Sequence, residues 1–165
     1  MSSLRKLLRS AAYALWALPL AATPVAVRLR VPRRMFGESF ALGERLAVRA
    51  AVHAVLSGVV GLLTWFLAFL AGLAAVRGAF YPLLASGNYE NSWGGPTLAG
   101  AWAVHALLGI GLLPAWLAVL AALGVFQRRL ARALLGRAAP RWPIPLAVAL
   151  TAGGIVLFIA WLHQI

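Results

Sequence analysis

The side chains that could do chemistry in this 165-residue chain are few. Three histidines (His53, His105, His163) and three carboxylates (Glu38, Glu44, Glu90) are its groups able to titrate near neutral pH, and there is no cysteine. Disulfides, thiolate nucleophiles and thiolate-bound metals are therefore excluded. Histidine beside carboxylate can relay protons or hold a metal, so spacing decides. His53 and His105 each sit near the start of an apolar run, and these two successive runs are expected to cross the membrane in opposite directions. At 1.5 Å rise per residue they are expected roughly 20 Å apart in height, too far to share an ion. His105, His163 and Glu90 are the one set that could meet at a common level. No G-x-S-x-G, H-E-x-x-H or phosphate-loop pattern occurs. The expectation is a protein with no catalytic residues, no cofactor and no metal, in which each histidine hydrogen-bonds between helices or reaches toward lipid headgroups.

A second concentration of polar groups is "ASGNYENSWGGPT", residues 85–97. Gly94, Gly95 and Pro96 supply a turn, and Thr97 is placed to cap a helix beginning near Leu98. Asn88, Tyr89, Glu90, Asn91 and Trp93 are the candidate recognition residues. Tyr81, Tyr89, Trp93 and Trp102 bracket the loop, as amphipathic rings do at a membrane–water interface.

The elements that must position these groups are apolar. The chain is 63% hydrophobic and 11% charged, with a mean hydropathy of +0.89, where a soluble domain carries roughly 25% charged residues. The reading is all-α, a single integral membrane domain over residues 1–165. Runs 50–76, 98–126 and 143–163 are long enough to cross a bilayer, which takes about 20 residues. Residues 10–27 form a shorter run with Pro19 and Pro24. Cleavage of that run as a signal peptide would leave an arginine-rich tail to be translocated, so it is expected to stay. It is read as a fourth span, with a re-entrant segment as the alternative.

Net charge is +12, but the basic residues cluster at the ends of apolar runs and not along one polar face. Nucleic acid is therefore not the expected partner; topology is the reason for the charge. Segments 28–49 and 127–142 hold eleven arginines between them, whereas loop 77–97 holds only Arg77. The basic segments are expected in the cytoplasm of a bacterial inner membrane, and the loop outside.

Small residues mark expected helix contacts: Ala54, Ser57, Gly58 and Gly61, then Ala68 with Gly72, then Ala149 with Gly153. The stretch "RRLARALLGR", Arg128 to Arg137, is expected to turn along the membrane, with Leu130 and Leu134 in the acyl boundary and arginines on anionic lipid phosphates. Glu44 could pair with a neighbour across the interface, an exposed contact that would contribute little.

A proline-containing apolar segment, a basic entry helix, a hairpin with a short outer loop, and the closing "RLARALLG" (Arg129 to Gly136) occur here in fixed order. In this it resembles the membrane "putative sensor" domain of actinobacterial proteins, over residues 38–136. The resemblance implies a non-enzymatic sensory or regulatory module working through a membrane partner such as a kinase. No phosphoacceptor or ATP-binding segment is expected to follow. The alternative is a small accessory or immunity-type subunit of a transporter or other membrane complex. A transporter in its own right ranks lower, because no carboxylate falls inside an apolar run.

Overall fold

The computed structural model describes residues 3–39, 41–85, 89, 91–137 and 139–164. Among them the chain forms helices α1 (Ser3–Ala21), α2 (Val25–Phe36), α3 (Leu46–Ala79), α4 (Tyr81–Leu84), α5 (Leu98–Gly109), α6 (Leu113–Leu135) and α7 (Pro143–Leu162). No strand occurs among the described residues, only an isolated antiparallel bridge between Leu42 and Gly136. The all-α class follows. Three segments are long and apolar enough to cross a membrane: α3, the α5–α6 stretch Leu98–Leu135, and α7.

Three boundaries differ from the hydropathy reading. The run 98–126 is not one helix but two, interrupted over residues 110–112, where Gly111 and Pro114 weaken the helical ladder. Helix α6 then continues through the basic stretch to Leu135. Its Leu130, Leu134 and Leu135 are buried against protein, so this stretch does not turn along a membrane with those leucines in lipid. Helix α1 is not among the segments long and apolar enough to span. A turn at residues 22–24, closed by Thr23 Oγ1 donating to the Leu20 carbonyl at 2.8 Å, leads into α2. The two helices pair, with Tyr13 edge-on to Phe36 at 5.7 Å.

The chain divides into two compact units, Met1–Trp65 with Leu120–Ile165, and Phe66–Val119. In the first, small residues let helix backbones close together, as association in lipid requires. A Cβ on Gly61 would lie 2.8 Å from the Leu18 amide nitrogen, and one on Gly58 would touch Ala21. Gly124 meets the backbone of Ser10 in the same way. In α7 it is Gly154, against Leu63, that makes the contact; Gly153 has nothing within 4 Å, contrary to the Ala149–Gly153 expectation. Helix α7 buries little of itself, with only Pro143 and Ala147 fully covered.

The second unit closes on a glycine pair that spacing arguments missed. A Cβ on either Gly78 or Gly109 would come within 3.2 Å of the other's Cα. By contrast, Gly72, read with Ala68 as a small-residue face for a helix contact, has open space where its Cβ would be.

Candidate functional site

Two polar constellations lie on this scaffold, one in each unit. In the unit Phe66–Val119, α5 begins with Thr97, whose hydroxyl accepts the Gly100 amide at 3.1 Å, as expected of the cap. Gly94, at φ +85°, has the Gly100 carbonyl and Val104 where a side chain would go, so only glycine fits there. This fold-back sets Ser92 against Tyr81, whose hydroxyl lies 3.2 Å from the Ser92 hydroxyl. The Tyr81 ring stacks on His105 at 3.9 Å between centroids and 21° between planes. His105 Nδ1 lies 2.8 Å from the Ala101 carbonyl one turn earlier in the same helix. A carbonyl can only accept, so Nδ1 carries the proton. The bond is intrahelical, not between helices as expected. Tyr81 is buried. Trp102 donates from its indole nitrogen to the Gly78 carbonyl at 3.1 Å.

Of the candidate recognition residues, Trp93 is 75% exposed and Asn91 is exposed, with Tyr89 half-buried. Asn88 and Glu90 lie outside the described residues. Among the described residues no group of three histidines or carboxylates is placed to hold a metal.

The second constellation, in the other unit, gathers the basic groups around the start of α3 and the end of α6. Helix α2 stops at Gly37, whose left-handed backbone (φ +70°) lets its amide cap the Arg33 carbonyl. The chain then presents Glu38 to α6. One carboxylate oxygen sits 2.5 Å from Arg128 and the other 3.2 Å from Arg132. Among the described residues the carboxylate seen in ion pairs is thus Glu38, where the sequence had offered Glu44. The Arg128 guanidinium also lies 4.0 Å over the Phe36 ring. From the first turn of α3, Arg49 donates to the carbonyls of Ala133 (3.2 Å) and Gly136 (2.9 Å). These are carbonyls a helix C-terminus leaves without an internal partner. The bridge at Leu42 and Gly136 adds two backbone bonds of 2.9 Å, Gly43 to Leu135 and Arg137 to Ala41.

Deeper in that unit, sequence reasoning missed two contacts, the first of them fully buried. Ser57 and Gln127 bond reciprocally: the Ser57 hydroxyl donates to Gln127 Oε1, and Gln127 Nε2 to the Ser57 carbonyl, each at 3.0 Å. Arg28 donates to the Ala50 carbonyl at 2.9 Å and faces His53 Nδ1 at 3.2 Å. A guanidinium only donates, so this His53 nitrogen accepts and the ring proton sits on Nε2. Burial draws the Arg28 guanidinium below its ordinary pKa, although arginine keeps its charge. The available signal was a lone glutamine at the foot of an apolar run and a serine within another, polar groups that lipid-facing helices satisfy against each other.

A family model described as "Putative sensor" matches residues 32–135. The chain belongs to the "Putative sensor" family. The "Putative sensor" match runs from within α2 to the last residue of α6. It therefore takes in Glu38, Arg49, Ser57, Gln127, Arg128 and Arg132, together with the whole loop around Trp93. Helices α1 and α7 fall outside it. The resemblance read over 38–136 covers almost the same residues. Searches of the curated proteins and of the solved structures return no match. Membership in the "Putative sensor" family points to a sensory role, and the family is not one of enzymes.

Proposed function

We propose that the chain is a non-enzymatic sensory module of the bacterial inner membrane that acts through a partner protein. The observation that carries the reading is the family match, whose limits hold Glu38, Arg49, Ser57, Gln127, Arg128 and the loop around Trp93. Three apolar segments supply the crossings. The loop 77–97, with Trp93 exposed at its tip, faces outside and receives the signal. The basic segments 28–49 and 127–142 face the cytoplasm, where a kinase or similar partner docks. Packing supports a cytoplasmic N-terminus. Lys6 and Arg9 of α1 line one cavity with Arg34, Glu38 and Arg128, so α1 begins on the side where α6 ends. The α1–α2 pair is then a re-entrant or interfacial hairpin. Every basic residue but Arg77 lies inside, which the positive-inside rule favours.

The test works whatever the partner is. Genes whose transcription changes when this gene is deleted provide the readout. A variant with Asn88, Tyr89, Glu90 and Asn91 replaced by Gly and Ser is then returned to the deletion strain. It should accumulate and melt in detergent as the parent does, because loops with solvated backbone tolerate such changes, yet fail to restore those transcripts. Full restoration would rule out the loop as the sensing surface. An unchanged transcript profile on deletion would refute the sensory role.

A further inference from the structure

The cavity between the start of α1, the end of α2 and α6 has a volume of about 440 Å³, within the roughly 300–1,000 Å³ of small-molecule sites. Four cations line it, Lys6, Arg9, Arg34 and Arg128, against one carboxylate, Glu38. Both oxygens of that carboxylate are already engaged by Arg128 and Arg132. Among the described residues neither Lys6 nor Arg34 has an ion-pair partner. Arg128 has in addition a buried Nε with no hydrogen-bond acceptor. Lys6, Arg34 and the Arg128 Nε thus offer donors and positive charge that Glu38 does not meet, and a buried donor left unmade is costly. An anion with several oxygens is the chemistry this arrangement lacks.

The other face of α1 narrows the source. Along a helix, Leu4, Leu7 and Leu8 fall on the side opposite Lys6, Arg9 and Ser10. The three leucines are exposed, while Lys6, Arg9 and Ser10 line the cavity. An apolar exposed face beside a cationic recess matches a lipid whose acyl chains lie along α1 and whose phosphate enters the recess.

We infer that this cavity is a phosphate-binding site for the headgroup of an anionic membrane lipid. The inference rests on the membrane reading above, but its test does not depend on orientation or signalling. The full-length protein in a non-ionic detergent is titrated with phosphatidylglycerol, with phosphatidylcholine, or with soluble glycerol phosphate, and bound species are counted by native mass spectrometry. Phosphatidylglycerol should bind at one saturable site, ahead of phosphatidylcholine. The double variant K6Q/R34Q, which breaks no ion pair, should weaken it by about thirtyfold, two basic contacts near a lipid surface being removed. The variant R30Q/R33Q, on α2 but off this cavity, should leave that site as it was. Saturation by glycerol phosphate alone, lost in K6Q/R34Q, supports the same phosphate site filled by a solute instead of a lipid. Equal weakening in both double variants, or no saturable anion binding, would overturn the inference. A protein that binds lipid as expected while its tagged N-terminus proves external would fail the topology and keep the site.

Discussion

The reciprocal bond between Ser57 and Gln127 gives the sharpest energetic test of how α3 and α6 are held together. Both residues are buried, at 4% and 1% exposure, and their two bonds are 3.0 Å each. Hydrogen bonds between helices in membranes average about 0.6 kcal/mol and reach about 1.7. Gln127→Met keeps the volume and removes both bonds, so it should cost about 2 kcal/mol once the stranded Ser57 hydroxyl is included. Ser57→Ala removes one bond, leaves Gln127 Oε1 without its donor, and should cost about 1 kcal/mol. The double variant should cost about 2 and not 3, because nothing remains to be stranded, which is a coupling of about 1 kcal/mol. Denaturant titration in a fixed detergent micelle, monitored by tryptophan fluorescence, reads all four proteins. At about 2–4 °C per kcal/mol for a chain of this size, the thermal shifts are measurable as well. Strict additivity of the single costs would show that the two side chains do not act on each other, and would refute this account of the α3–α6 contact.

Glycine replacements separate the packed positions from the open ones. Gly61→Ala forces a Cβ into the Leu18 backbone and should cost about 1–3 kcal/mol, whereas Gly72→Ala, with open space at that position, should be neutral or slightly stabilising; equal effects in thermal melts would contradict the packing. For topology, single cysteines at Ser3, Asn91 and Arg137 in intact cells should react with an impermeant thiol reagent at Asn91 alone. Reaction at Ser3 would restore a spanning α1, and reaction at Arg137 would reverse the whole orientation.

Hydropathy made the long apolar helices legible, because twenty uncharged residues have few other uses. It located their ends poorly, and for a physical reason. Arg128 and Arg129 end the apolar run but not the helix, since arginine is a good helix former, and α6 runs to Leu135 with leucines still buried. Conversely, nothing charged interrupts 98–126, and only Gly111 and Pro114 signal the break that the structure contains at 110–112. Residues 10–27 read as a span by composition; the turn at 22–24 and the pairing of Tyr13 with Phe36 depend on a partner helix that no local pattern reveals. The site was legible where chemistry is local, as in the Thr97 cap. It was not where contact joins distant segments. Tyr81 and His105 are 24 positions apart in sequence, and each alone resembled an interfacial residue.

The anchoring of Arg49 on the end of α6 has a mechanical consequence. Together with Ser57 and Gln127 it fastens α3 to α6 at two points separated by eight residues of α3, about 12 Å along the axis. One fastening would act as a pivot; two resist rotation or sliding of the helices past each other unless polar bonds are broken. The first turns of α3 and the last turns of α6 therefore travel as one body. A displacement imposed on the loop before Leu46 is therefore expected to reach Gly136, which Arg49 holds, and the chain that leaves it.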